Sequence, residues 1–304
     1  SPDVLDYIWL QLDQNLFAQN SQTTATESEK IGEKMSFEKM KKWDLQKNFD
    51  GGFKISQLKD AATGANLKYT INYTMMRIDL PNPLASGKTF VFNIKWWYNI
   101  NNYTIDGGRS GYEHFDADGN NLYVIAQFYP RMAVYNDVEG WQTLQFLGRG
   151  EFALVFGDYE VNITTPDDHI LEGTGHVLNR KEMLTSKQWK RYQEALSSYD
   201  KPVVIVTQEE AEENEKNASK KTKTWKLKAE NVRDFAFATS RRFIWDAMGV
   251  DQESAEHPVV MAMSFYPKEA RPLWDTYSTR SIAHTIDVYN QFAFTYPYPT
   301  AQSV

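Results

Sequence analysis

Apolar and polar positions alternate along much of this chain, most clearly in its first half. In LKYTINYTMMRIDL, Leu67, Tyr69, Ile71, Tyr73 and Met75 alternate with polar neighbours, and KTFVFNIKWWYNI repeats the device with Phe90, Phe92, Ile94, Trp96 and Tyr98. A two-residue period is the signature of a strand that buries one face. PNPLASG, with two prolines and a glycine, predicts a connection between them. Leu122 to Phe128, Glu151 to Phe156 and Tyr159 to Thr165 follow as strands, Val203 to Val206 predicts a short buried one, and Trp225 and Leu227 resume the pattern. That spacing predicts a mainly β fold, an antiparallel β-sandwich or open sheet.

Elsewhere the period lengthens to three or four. Val4, Leu5, Ile8, Leu12 and Leu16 predict a short helix from Val4 to Phe17 with Pro2 near its start, and a second begins at Ser36 with the serine as cap. Thr-Ser-Lys-Gln from Thr185 is a capping box, followed on one face by Trp189, Tyr192 and Leu196. VVMAMSFYP reads as a buried strand, and Trp274 to Phe292 as a helix with Tyr277, Ile282, Ile286, Tyr289 and Phe292 roughly on one side. Asn20 to Glu29 is polar and predicts a loose segment. Glu209 to Lys223 is acidic first and then lysine-rich, and predicts a solvated loop or hairpin tip. The period changes from two residues to a long helical pattern after Trp274, and the expected division lies near Asn231: residues 1–230 form a β-rich domain with short N-terminal helices, and residues 231–304 begin a domain of mixed α/β structure.

Composition adds limits. At 304 residues the chain suggests two domains. Its net charge of −7 is interspersed and includes no basic stripe, which argues against nucleic acid as a partner. With no cysteine there is no disulfide, no thiolate metal site and no cysteine nucleophile. No apolar run approaches the roughly 18 residues of a transmembrane span, and no signal peptide is visible. A start at Ser1 rather than Met reads as a processed product or an expressed fragment.

Candidate chemistry is sparse. Alternation through LYVIAQFYP puts Gln127 at the last regular position of a buried strand, just before Pro130. An amide there must find hydrogen-bond partners, either a ligand or the loop that follows. A zinc peptidase needs two imidazoles one helical turn apart plus a carboxylate base, yet His114, His169, His176, His257 and His284 include no H-E-x-x-H. Asp116, Asp118 and Asn120 have the alternate-oxygen spacing of a calcium loop, but the twelfth position is the amide Gln127, so a tight hairpin turn is the better reading. Trp96, Trp97, Tyr98 and Tyr103 offer rings to a sugar or to the core, and alternation favours the core. Glycine-rich phosphate loops and Gly-x-Ser-x-Gly elbows are missing. Asn-x-Ser/Thr triplets at Asn72, Asn102, Asn162 and Asn217 decide nothing.

AQFYPRMAVYND, followed by Gly140-Trp141, Gly150-Glu151-Phe152, Asp158-Tyr159 and VNITTP, resembles the amino-terminal domain of the aminopeptidase N family of zinc metallopeptidases, of gluzincin type and in its bacterial exported branch. KAENVRDFAFATSRRFIWDA, from Lys228 to Ala247, resembles the family's junction with its catalytic domain. The resemblance implies a saddle of strands followed by the start of a truncated thermolysin-like catalytic domain. It implies an enzyme that hydrolyses amino-terminal residues from peptides with a zinc-bound water and a glutamate base. Gln127 and Tyr129 take the substrate-binding role, although the family more commonly has an acidic or amide residue where this chain has Tyr129. The implied zinc belongs to the parent protein, with no metal ligand, no catalytic residue and no activity in these 304 residues. Its implied partners are peptide substrates and the remainder of the catalytic domain, and its implied location is extracytoplasmic. A non-catalytic β-sandwich module that binds a partner protein or a glycan is the alternative.

Overall fold

In the computed structural model, which describes residues 3–23, 34–149, 152–216 and 218–304, strands dominate and almost all of their pairing is antiparallel. Pro2, residues 24–29 of the expected loose segment, Gly150, Glu151 and Asn217 lie outside the described residues. The chain divides into two compact units, Ser1–Tyr112 with Ile125–Phe156, and Glu113–Val124 with Gly157–Val304, so Asn231 lies inside the second.

The first unit is built on a four-stranded sheet in the order Tyr69–Asn72, Met75–Leu84, Leu5–Gln11, Arg131–Met132. A second pair joins Lys54–Asp60 to Phe92–Trp97. Ile8, Leu10, Leu12, Phe53, Leu58, Met76 and Ile78 form the core, with Phe92, Ile94 and Trp96 packed against them. The helix expected from Val4 to Phe17 is instead a strand, Leu5–Gln11, and a 3-10 turn, Asp13–Phe17. Ile8, Leu10 and Leu12 are 4%, 2% and 0% exposed, a two-residue period that the coincident four-residue spacing of Ile8, Leu12 and Leu16 conceals. Aromatic Tyr7 and Trp9 and β-branched Ile8 suit a pleated surface, and Ile78 and Met76 stand opposite Ile8 and Leu10.

LKYTINYTMMRIDL is likewise a hairpin rather than one strand. Tyr69–Asn72 returns as Met75–Leu84, and Tyr73 takes the turn at φ +51°. The returning strand runs on through the expected connection to Leu84, with its exposed prolines inside an irregularity in the pairing. Residues 152–156 form no strand; Phe152 instead packs edge-on against Phe146 at 5.5 Å. The helix Phe37–Lys47 begins where expected, with Ser36 Oγ accepting from Lys39 N.

In the second unit, Gly157–Pro166 pairs along its length with Thr222–Val232, which also pairs with His176–Val177. A four-stranded sheet runs Ile170–Gly173, Phe237–Ser240, Asn120–Ile125, Gly111–Phe115. Another runs Val203–Val206, Ile244–Asp251, Val259–Tyr266, Thr300–Ser303, and its last pair is parallel. Ala283 and Ile286 of the helix Leu273–Phe292 pack on Met248, Val250, Val260 and Ala262 of that sheet. The charged stretch expected as a solvated loop is the helix Gln208–Lys216 leading into Thr222–Val232. Ala211, 2% exposed, seats that helix on Ile244 and Tyr266, and a single small residue is an anchor that composition does not reveal.

Candidate functional site

The strand Asn120–Ile125 ends two residues before Gln127, not at it. Gln127 stands at φ +54°, a left-handed conformation that non-glycine residues seldom adopt. Hydrogen bonds from other segments pin this departure. Ser110 Oγ accepts from Ala126 N at 3.2 Å, Gln14 Nε2 donates to Gln127 O at 3.1 Å, and Trp96 Nε1 donates to Phe128 O at 2.9 Å. Trp96 thus serves the core and the loop, while Trp97 is 54% exposed, with the Lys54 ammonium 5.8 Å from its ring centre.

Gln127 is 6% exposed. It lines a cavity of about 220 Å³ with Asp13, Gln14, Phe17, Arg109 and Phe146. Asp13 and Arg131, 1% and 4% exposed, form a two-pronged ion pair, with Arg131 Nε 2.8 Å from Oδ2 and Nη2 2.8 Å from Oδ1. Gln11 Nε2 donates to the same carboxylate at 2.7 Å. A buried charge requires this much compensation. Tyr129 is half-buried and edge-on to Phe128 at 5.1 Å, and it is not among the residues lining the cavity.

The structure therefore brings to Gln127 residues that the sequence reading passed over. Asp13 and Gln14 lay within the supposed helix, where three adjacent polar residues, Asp13 to Asn15, interrupting an apolar pattern were the available signal. Arg109 sits in the glycine-flanked GGRSG, as a lone cation in a loop.

The histidines do not assemble into a zinc site. His169 is buried with Nδ1 3.2 Å from Thr239 Oγ1, and burial, followed by the charge of Arg241, pushes its pKa down to about 4. His176 is also pushed down by burial, and His114 Nδ1 lies 2.7 Å from Asn121 Oδ1. Among the described residues no group of three or more His, Cys, Asp or Glu could hold a metal ion. FDADGNN makes a turn between Gly111–Phe115 and Asn120–Ile125, in which Asp118 Oδ1 accepts from Asn120 N at 2.9 Å and the carboxylate pairs with buried Arg242.

No family model matches the sequence, and no curated protein matches it. Solved structures do match. The M1 zinc metallopeptidase from Deinococcus radiodurans matches with a TM-score of 0.51 at 12% identity, over 99% of this chain and 48% of that one. A variant of the same protein matches at 0.51 and 12%, over 99% and 49%. Aminopeptidase A from Legionella pneumophila, in complex with aspartic acid, matches at 0.47 and 8%, over 98% and 24%. The chain has the fold found in the Deinococcus M1 metallopeptidase and spans about half of that protein's length.

Proposed function

We propose that this chain is the amino-terminal, cleft-forming portion of a zinc-dependent aminopeptidase, a hydrolase that removes amino-terminal residues from peptides. The fold likeness over 99% of the chain carries the reading. Gln127 supports it locally, bordering a cavity in a backbone conformation that costs energy to hold. On this reading Gln127 orients the substrate's first residue with one acceptor and two donors, and Tyr129 flanks it from the same loop. Residues 1–230 present the substrate-facing β-domain and residues 231–304 begin the catalytic part. The protein belongs to a bacterial, extracytoplasmic branch and acts together with the remainder of its catalytic domain. No helix among the described residues is long and apolar enough to cross a membrane.

Bound zinc would supply an acidified water and a polarised carbonyl. The histidines of this chain do not fit that metal: His169 is buried against Thr239, and among the described residues no cluster of ligands surrounds any of them. Zinc is accordingly assigned to the parent protein, and no hydrolytic step is assigned to residues of this chain.

The test is turnover of aminoacyl-anilides by the complete protein that contains this chain. Turnover that is lost to a chelator and restored by zinc supports the reading. Gln127→Ala should then raise KM about 10-fold, the worth of a hydrogen bond to a charged group, with an unchanged unfolding midpoint. No turnover on any anilide would overturn it in favour of the non-catalytic β-sandwich module.

A further inference from the structure

The cavity beside Gln127 holds a charge that its own walls do not balance. Two of its lining residues are ionic, Asp13 and Arg109. Asp13 is matched where it stands, since Arg131 donates to both of its oxygens at 2.8 Å. Arg109 is exposed and has no carboxylate partner among the described residues. Its guanidinium carbon lies 5.3 Å from the centre of the Phe152 ring. Stacking of this kind engages the face of a guanidinium and leaves its in-plane N–H groups to donate. With the Asp13 charge matched by Arg131 from outside the lining, the Arg109 guanidinium is left as a cation at the cavity in a chain of net charge −7.

Gln127 adds a buried amide, and Leu16, Phe17 and Phe146 supply apolar wall. A volume of about 220 Å³ is below the roughly 300 Å³ at which pockets for drug-sized ligands begin, so it suits one short side chain rather than a peptide. A short apolar stem that ends in an anion matches both parts of the lining. A neutral aliphatic group would leave the Gln127 amide unsatisfied.

We propose that this cavity takes the carboxylate of an aspartyl or glutamyl residue at the amino terminus of a peptide. Arg109 is the counter-charge, Gln127 donates a hydrogen bond, and the apolar wall receives the methylenes. The assignment rests on the aminopeptidase reading, which places Gln127 at the substrate's first residue. Without that reading the same chemistry would serve a free small dicarboxylate.

In the complete protein, kcat/KM for glutamyl-, aspartyl- and leucyl-anilides is compared among wild type, Arg109→Leu, Arg109→Lys and the exposed-charge control Lys88→Leu, and glutarate binding to each is measured by calorimetry. Arg109→Leu should lower the glutamyl-to-leucyl ratio about 30-fold, mainly through KM, the fold-change expected for a lost charge-assisted hydrogen bond. Arg109→Lys should retain part of the preference, since a lysine keeps the charge but loses the fork of donors. Lys88→Leu should leave the ratio where it was. An unmoved ratio in Arg109→Leu overturns the proposal. If no anilide is hydrolysed, the aminopeptidase reading is what fails, and glutarate decides the rest: binding to wild type that Arg109→Leu abolishes keeps the carboxylate site, and no binding to wild type removes it.

Discussion

Gln127 holds its backbone at φ +54°, which costs an L-residue about 1 kcal/mol or more. That conformation is a cost to stability. Gln127→Gly should therefore unfold at or above the wild-type temperature in a thermal melt of the complete protein, while its peptide KM rises as in the alanine variant. A fall of several degrees would make the side chain a structural prop. His169 acts in the other direction. Its pKa moves from 6.5 to about 4 because burial opposes the charged ring, so between those values the unfolded chain binds a proton that the folded chain refuses. Stability is retained above pH 6.5 and is lost as pH falls through that window, by on the order of 2 kcal/mol. Urea midpoints measured across this range should decline less steeply in His169→Gln than in wild type.

At the scale of elements, the helix Ser186–Ala195 shows what local chemistry decides. Thr185 Oγ1 accepts from Gln188 N at 3.3 Å, and Gln188 Oε1 accepts from Thr185 N at 3.0 Å, a reciprocal cap within four residues. Thr185→Ala should cost about 1 kcal/mol by denaturant titration, and Thr185→Ser much less. The segment from Val4 to Phe17 shows the opposite. Ile8, Leu12 and Leu16 satisfy a helical period while Ile8, Leu10 and Leu12 satisfy a strand's, and only the partner strand Met75–Leu84 settles which is used. Gln208–Lys216 was illegible for a related reason. Its composition is that of a solvated segment, and its attachment includes Ala211, the Arg191–Glu210 ion pair at 2.8 Å and the Lys268–Glu215 ion pair at 2.6 Å, all made to distant parts of the chain.

At the scale of the molecule, the helix Leu273–Phe292 buries Ala283 and Ile286 but leaves Tyr277, Tyr289 and Phe292 60%, 63% and 83% exposed. With Phe294, Tyr296 and Tyr298, Tyr289 lines a groove of about 620 Å³. Apolar surface on this scale favours association, so the 304 residues expressed alone should sediment as more than a monomer at micromolar concentration. The same preparation should bind no stoichiometric zinc and release no anilide. Four-coordinate catalytic zinc needs three strong protein ligands, and neither the cysteine-free sequence nor any cluster among the described residues supplies them. One equivalent of tightly bound zinc in a metal analysis would show that this assignment of the chemistry is wrong.

Sequence by itself determined the class of fold, the caps at Ser36 and Thr185, the buried strand Val259–Tyr266 and the helix that follows it, because each is written in residues a few positions apart. It also singled out Gln127, as an amide at the edge of an apolar run. Tertiary structure decided that Gln127 leaves the strand, that Gln14 meets it across 113 positions, and that Asp13 is held by Arg131 across 118. It also brought Arg109 to the same cavity. The division has a physical cause. Periodicity and capping are satisfied within one turn or one pleat, whereas a buried amide or charge is satisfied only by whatever the folded chain places beside it.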